Sequence, residues 1–245
     1  MVPLRAIIRV CVGLRIHPNV LTLIGMLVNV AAAVALGLNR FRLATLLIVF
    51  GMIFDFIDGK VARISNLQSR FGAFWDSTLD RFSDLALFIG LIFLYSTLGR
   101  HDYVLVATLA LVFTVMTSYI RARAESLVER CKVGFMERPE RIVLFAIGAL
   151  SNRMAGALWV LLLMSVLAVE NRIHYTYLAL TDRPMPSRAG AVGVFTRLVF
   201  WTDDRATILY DCWVIAILAF VWLMPPDWLR DPTATGYPLA WLASR

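Results

Sequence analysis

Residues 55–80 read DFIDGKVARISNLQSRFGAFWDSTLD, with four aspartates and two glycines set at regular intervals in an otherwise apolar chain. The surroundings decide what kind of fold can hold such a run. The 245 residues are 60% hydrophobic and only 17% charged, and the mean hydropathy is +0.73, well beyond the apolar share of an ordinary soluble domain. Stretches of about 20 predominantly apolar residues, enough for a helix to cross ~30 Å of hydrocarbon, recur along the chain. A backbone in lipid must satisfy its own hydrogen bonds, and these runs are long and rich in helix formers rather than alternating like barrel strands. The expectation is an all-α integral membrane protein, with spans at 19–38, 42–63, 72–99, 102–126, 138–151 and 154–179, and a seventh helix near 206–225.

The first residues, MVPLRAIIRVCVGLRIHPN, interleave Arg5, Arg9 and Arg15 with apolar side chains. That pattern fits a retained amphipathic helix lying in the membrane interface better than a cleaved signal peptide. The predicted organisation is an interfacial segment over 1–18, a six-helix core over 19–180 and a C-terminal extension over 181–245. Lys60, Arg63 and Arg70 fall between the second and third spans, and Arg121, Arg123, Arg130, Lys132, Arg138 and Arg141 between the fourth and fifth. The opposite connections hold only Arg40, Arg42, Arg100 and Arg153, so the basic bias predicts a cytoplasmic N-terminus and a cytoplasmic 55–80 segment, in the cell membrane. A net charge of +7 would suit nucleic acid in a soluble domain. Here the basic residues sit at helix ends, where anionic lipid headgroups and phosphorylated substrates are the expected partners and nucleic acid is not.

Cys11, Cys131 and Cys212 are isolated, and His17, His101 and His174 are scattered, so neither a disulfide framework nor a zinc site is indicated. The acidic residues are different. On a helix, Asp55, Asp58 or Gly59, and Ala62 fall on one stripe with Arg63 one position round, and Gly72, Asp76, Asp80 and Asp84 repeat every four residues on the next. The short polar connection ISNLQSR predicts that the two helices run antiparallel side by side, bringing the acidic stripes face to face. Carboxylates converging near hydrocarbon repel one another, so a cation is expected between them. Oxygen ligands without Cys or His point to Mg²⁺, Mn²⁺ or Ca²⁺, and four carboxylates can hold two such ions about 3.5–4 Å apart, the arrangement of phosphoryl chemistry. Gly59, Ala62 and Gly72 leave room for a ligand against the helices, and Arg63 can meet a phosphate with a planar fork.

Asp55, Asp58, Gly59, Ala62, Arg63, Gly72, Asp76 and Asp80 together resemble the signature of the CDP-alcohol phosphotransferase (CDP-alcohol phosphatidyltransferase) family, with both internal gaps matched. The likeness runs over roughly 1–180 and includes HPNVLT, with Pro18, Asn19 and Thr22, ahead of the first span. The resemblance implies a six-helix membrane enzyme of phospholipid synthesis, commonly a homodimer, that uses two divalent ions, Mg²⁺ or Mn²⁺. It implies that Asp55, Asp58, Asp76 and Asp80 bind the metals, and that Asp80 also takes the acceptor's proton as the catalytic residue. It implies further that the CDP moiety of CDP-diacylglycerol lies along Asp58, Gly59, Ala62, Arg63 and Gly72, near Pro18 and Thr22.

The stretch SYIRARAESLVERCKVGFMERPERIVLF, residues 118–145, crowds basic residues among Glu125, Glu137 and Glu140, a pocket with its own counter-ions rather than a polybasic tail. Arg121, at a helix end, and Arg141, a turn inside the next helix, are the expected acceptor-phosphate ligands, with Arg138 beside them and Arg172 of ENRIHY a further candidate. RARAE followed by ERPER resembles the branch that uses inositol phosphate, and this implies a phosphorylated polyol acceptor. Glycerol 3-phosphate is the rival acceptor, since arginines alone do not separate the two. An acid-lined cation or proton path is the rival class, but the acids cluster at one end of their helices and no inverted repeat is visible. In the extension, Pro, Ser and Gly mark a linker before the apolar run TILYDCWVIAILAFVWLMPP, expected to be an additional transmembrane helix.

Overall fold

The structure is a computed structural model that describes residues 2–129, 131, 133–134, 137–183 and 208–234, and these residues contain helices and no strand. The helices are α1 (Val2–Gly13), α2 (Pro18–Gly37), α3 (Phe41–Ile64), α4 (Arg70–Thr97), α5 (His101–Glu125), α6 (Arg138–Leu150), α7 (Met154–Leu180), α8 (Ile208–Leu223) and α9 (Pro226–Leu229). The six core helices thus fall within two residues of the expected ends. The Pro, Ser and Gly linker read in 181–195 lies outside the described residues from 184 on, as do residues 196–207 and 235–245.

Among the described residues, three helices, α2, α5 and α7, are long and apolar enough to cross a bilayer by length and composition. This is fewer than the sequence pattern suggested. The reason is that α3 and α4 carry the charged run at their adjoining ends, while α6 has 13 residues and α8 has 16, short of a full crossing by a straight helix. Exposed Leu27, Val30, Val34, Leu105, Val112, Leu163 and Val166 on the three apolar helices suit contact with hydrocarbon rather than water.

The chain forms two compact units, Met1–Gly99 and Arg100–Arg245. In the first, α2 packs closely on both α3 and α4, and α1 leans on α3. Small residues allow the approach: a Cβ placed on Gly90 of α4 would stand only 2.2 Å from the Ala33 carbonyl of α2, and one on Gly51 of α3 would stand 2.7 Å from Asn29 Oδ1. Close backbone approach through Gly and Ala is how membrane helices gain packing when lipid is as apolar as leucine. The helices end without wasted carbonyls. Asn66 adopts φ 52° and lets the Leu67 amide return to the Ala62 carbonyl at 2.9 Å, stopping α3 just past Arg63. Asn39 after α2 does the same, with Arg40 N–H reaching Ala35 O at 2.8 Å. On its inner face, α1 buries Ile8 and Cys11 against Leu21, Ile57 and Val61, while Ile7, Arg9 and Val10 face outward. That two-sided character is the one expected of an interfacial helix.

In the second unit α5 packs along α7, α6 pairs with α7, and α8 lies on α7. The Asp231 carboxylate accepts from Ala155 N–H at 3.3 Å, capping the first turn of α7, whose own N-cap Arg153 supplies no side-chain bond. Arg100 binds the Arg230 carbonyl, and Tyr103 Oη donates to Leu229 O at 2.5 Å.

Candidate active site

Five residues, 65–69, turn the chain from α3 into α4. Ser69 begins α4 as its N-cap, its Oγ accepting Gly72 N–H at 2.9 Å. Pro18 occupies the first turn of α2, which fits a position where no amide partner is needed, and His17 Nδ1 accepts Asn19 N–H at 3.2 Å. Trp75 Nε1 then donates to the Asn19 carbonyl at 3.3 Å and ties the first turns of α2 and α4 together. Three helix ends meet in this way.

Between them lies a cleft of about 550 Å³ lined by Pro18, Asn19, Thr22, Asp58, Gly59, Ala62, Arg63, Leu67, Gln68, Ser69, Arg70, Gly72, Ala73 and Asp76. Every residue expected at the CDP moiety is present. Both α3 and α4 approach α2 most closely, and the cleft opens between the ends of α3 and α4, with Asp58 of one and Asp76 of the other on the same surface. A Cβ on Gly59 would meet nothing within 4 Å, so this glycine opens onto the cleft rather than serving helix packing.

The aspartates divide into two rows. Asp58 and Asp76 line the cleft, whereas Asp55 and Asp80 lie a turn deeper on α3 and α4, half-buried and outside its lining. Asp55 Oδ1 stands 3.2 Å from where a Gly25 Cβ would be, tucked against α2. Asp84, another turn along α4, is buried. Asp58 is 5% exposed, near enough to Asp55 and Asp76 to feel both charges, and the Thr22 hydroxyl beside it donates to the Pro18 carbonyl at 3.2 Å. Its Oδ2 atom is buried with no hydrogen-bond partner. A carboxylate oxygen in that condition carries a desolvation cost that a bound cation would remove, and the all-oxygen donor set fits a hard divalent ion. Among the described residues no three Asp, Glu, His or Cys side chains are gathered into a ready coordination sphere. Like charges repel, and a cation is what draws such a set together.

The four expected acceptor arginines all belong to the second unit. Arg121 pairs with Glu125 at 3.1 Å and Glu137 at 3.0 Å. Arg172 is 4% exposed, its Nε donating to Val133 O at 3.1 Å and a terminal nitrogen to Thr117 O. Its charge interacts with those of Arg121 and Arg141, so three guanidiniums share one neighbourhood. Arg141 is buried in the first turns of α6 and Arg138 opens that helix, half-buried. Cys131, in the connection after α5, is buried, and burial pushes its thiol up, away from nucleophilic chemistry. Gln68, Ser69, Arg70 and Ala73 were not singled out by the sequence pattern, although Ser three residues ahead of Gly72 is a recognisable N-cap signal.

The described residues form helices only, three of them long and apolar enough to cross a bilayer, with an open cleft lined by Asp, Arg and small residues. The chain belongs to the CDP-alcohol phosphatidyltransferase family, whose profile matches residues 15–181, and it is an enzyme of that class. It is 35% identical to the phosphatidylinositol phosphate synthase of Mycobacterium tuberculosis over 64% of this chain and 77% of that protein. It is 34% identical to the archaetidylinositol phosphate synthase of Pyrococcus horikoshii over 70% of this chain and 89% of that protein. Its fold is similar to solved structures of M. tuberculosis phosphatidylinositol phosphate synthase at 30% identity. The structure in complex with manganese and citrate superposes with a TM-score of 0.67, covering 76% of this chain and 95% of the other. The structure with CDP-DAG bound gives 0.66, covering 71% and 93%.

Proposed function

We propose that this enzyme transfers a phosphatidyl group from CDP-diacylglycerol to an inositol phosphate and releases CMP. The observation that carries the reading is the cleft itself, which brings Pro18, Thr22, Asp58, Gly59, Ala62, Arg63, Gly72 and Asp76 to one surface from three helices. Similarity to synthases named for inositol phosphate products supports the acceptor.

In this reading Asp55, Asp58, Asp76 and Asp80 hold two divalent ions, Mg²⁺ or Mn²⁺, and when bound these neutralise the pyrophosphate and the leaving phosphate. The cytidine diphosphate lies over Gly59, Ala62 and Gly72, where side chains would intrude, and Arg63 takes a phosphate oxygen pair in its fork. The acceptor hydroxyl oxygen forms a bond to the lipid-linked phosphorus, the bond from that phosphorus to the CMP oxygen breaks, and Asp80 receives the hydroxyl proton. Holding the two substrates in line supplies much of the barrier reduction. Arg121, Arg138, Arg141 and Arg172 bind the acceptor's phosphate. The reading also takes α2–α7 as the six-helix membrane core of a homodimer, with the cleft on the cytoplasmic side where Lys and Arg are concentrated.

The test is purified protein in detergent with Mg²⁺ or Mn²⁺, CDP-diacylglycerol and a panel of inositol phosphate, glycerol 3-phosphate, serine and inositol, scored by CMP release. Inositol phosphate is expected to give the fastest release. Faster turnover of glycerol 3-phosphate would move the assignment to phosphatidylglycerophosphate synthesis, and release with free inositol or serine alone would overturn the role of the arginines.

A further inference from the structure

The family profile ends at residue 181, yet the chain continues into α8 and α9, and these fold back onto the second unit. At one end of α8, Tyr210 Oη donates to Glu140 Oε1 at 3.1 Å. Near the other, Val221 and the following Leu229 pack around Gly156, in the first turn of α7. The segment is held there by the Arg100, Tyr103 and Asp231 contacts already described. Since α7 begins just after α6 ends, α8 reaches from the far end of the α6–α7 hairpin back to the start of α6. Its last turns therefore lie at the α6–α7 connection, and its first turn reaches the start of α6, the turn that carries Arg138 and Arg141.

The first turn of α6 is tied to a second helix through Glu140. Its N-cap, Glu137, makes no side-chain capping bond, because that carboxylate is turned toward Arg121 at 3.0 Å. Helix ends without a cap fray, and this one carries Arg138, Glu140 and Arg141. The Arg141 amide donates to the Glu137 carbonyl at 3.3 Å, closing that turn. A glutamate side chain has three rotatable bonds, and a phenolic hydrogen bond from a second helix fixes it at the position where the turn begins.

We infer that Tyr210 is a positioning residue for the acceptor-phosphate site, acting through Glu140 to hold the first turn of α6 and with it Arg138 and Arg141. The C-terminal extension is then part of the acceptor site rather than an appendage. The inference rests on the proposed role of those arginines. It assigns no contact between Tyr210 and substrate.

The experiment is steady-state kinetics of full-length Tyr210→Phe, Glu140→Ala, Glu140→Gln and the Tyr210→Phe/Glu140→Ala double variant, varying each substrate separately, with inositol phosphate and glycerol 3-phosphate both tried as acceptor. Losing one such bond is expected to raise the acceptor KM about fivefold in Tyr210→Phe and in Glu140→Ala, with kcat and the KM for CDP-diacylglycerol within about twofold of wild type. Glu140→Gln keeps an oxygen for the phenol and should raise the acceptor KM less than Glu140→Ala does. The double variant should be no worse than Glu140→Ala alone, because Tyr210→Phe then has no contact with Glu140 left to remove. Multiplying effects in the double variant, a rise in both KM values alike, or a lowered melting temperature with unchanged KM would each reduce Tyr210 to a packing residue and overturn the inference. Wild-type protein inactive with both phosphorylated acceptors would sink the proposed function and this inference together, whereas active wild type with an unaltered Tyr210→Phe would sink the inference alone.

Discussion

The aspartate cleft of the first unit and the arginine cluster of the second handle their charges in opposite ways. In the cleft, Asp58 keeps a buried oxygen with no partner, and Gly59 faces open space. In the cluster, Arg121 is already held by Glu125 and Glu137, and Arg172 by the Val133 and Thr117 carbonyls. The divalent ions of the proposed function would complete the electrostatics of the first region. The other is preorganised by the protein's own acceptors, which fixes the guanidiniums in place and leaves part of each fork committed. On the proposed reading, charge neutralisation falls to adaptable carboxylates and recognition that needs geometry falls to braced arginines.

The contrast can be broken most sharply at the aspartates. Asp58→Asn, Asp76→Asn or Asp80→Asn should lower kcat by more than about 10³-fold, the scale of losing a charge-stabilising group at a reacting phosphate. Circular dichroism and melting temperature should stay at wild-type values, and full removal of divalent ions with a chelator should match the loss until Mg²⁺ or Mn²⁺ is restored. Near-normal turnover in any of the three would remove that residue from the metal set.

Two glycines offer the next test, because one serves the ligand and the other serves the fold. Gly59→Val has room in the helix surface and should fold normally, yet misplace the nucleotide and cut kcat/KM for CDP-diacylglycerol on the order of 10²-fold. Gly90→Ala drives a Cβ into the Ala33 carbonyl and should destabilise the first unit by about 1–3 kcal/mol, read as a lower melting temperature in detergent. If the two effects were exchanged, the cleft would be in the wrong place.

Among the arginines, Arg141→Lys and Arg172→Lys keep the charge but lose the planar fork, so the acceptor KM should rise roughly 10- to 100-fold with the KM for CDP-diacylglycerol unchanged. Equal rises for both substrates would argue that these side chains only hold the helices together. Arg121→Ala should produce the smallest change in stability, under about 1 kcal/mol, because its ion pairs are partly open to solvent. A larger loss would mean that the cluster braces the fold.

Much of this was legible in one dimension. Apolar runs placed the helices to within two residues, and the aspartate and glycine spacing picked out Asp58, Gly59, Gly72 and Asp76, which the fold brings to one cleft. The five-residue turn after α3 placed the two acidic helices as neighbours, and Asp58 and Asp76 do line one cleft. Nothing in that turn reveals that Gly25, Ala33 and Gly51 let α2 take both helices as its own partners. Likewise, composition favoured seven crossings, although the length of α6 and α8 and the charges within α3 and α4 leave three helices that satisfy a crossing unaided.

The sequence by itself determined the helices, the residue types of the chemistry and their order along two of those helices, because periodicity and side-chain chemistry are local properties. Only the tertiary structure decided which carboxylates face open space, which lie a turn behind, and that Tyr210 touches Glu140 seventy residues away. Those facts depend on how closely backbones approach and where the cleft opens between two helix ends, and close packing is settled by all the partners at once rather than by any one segment.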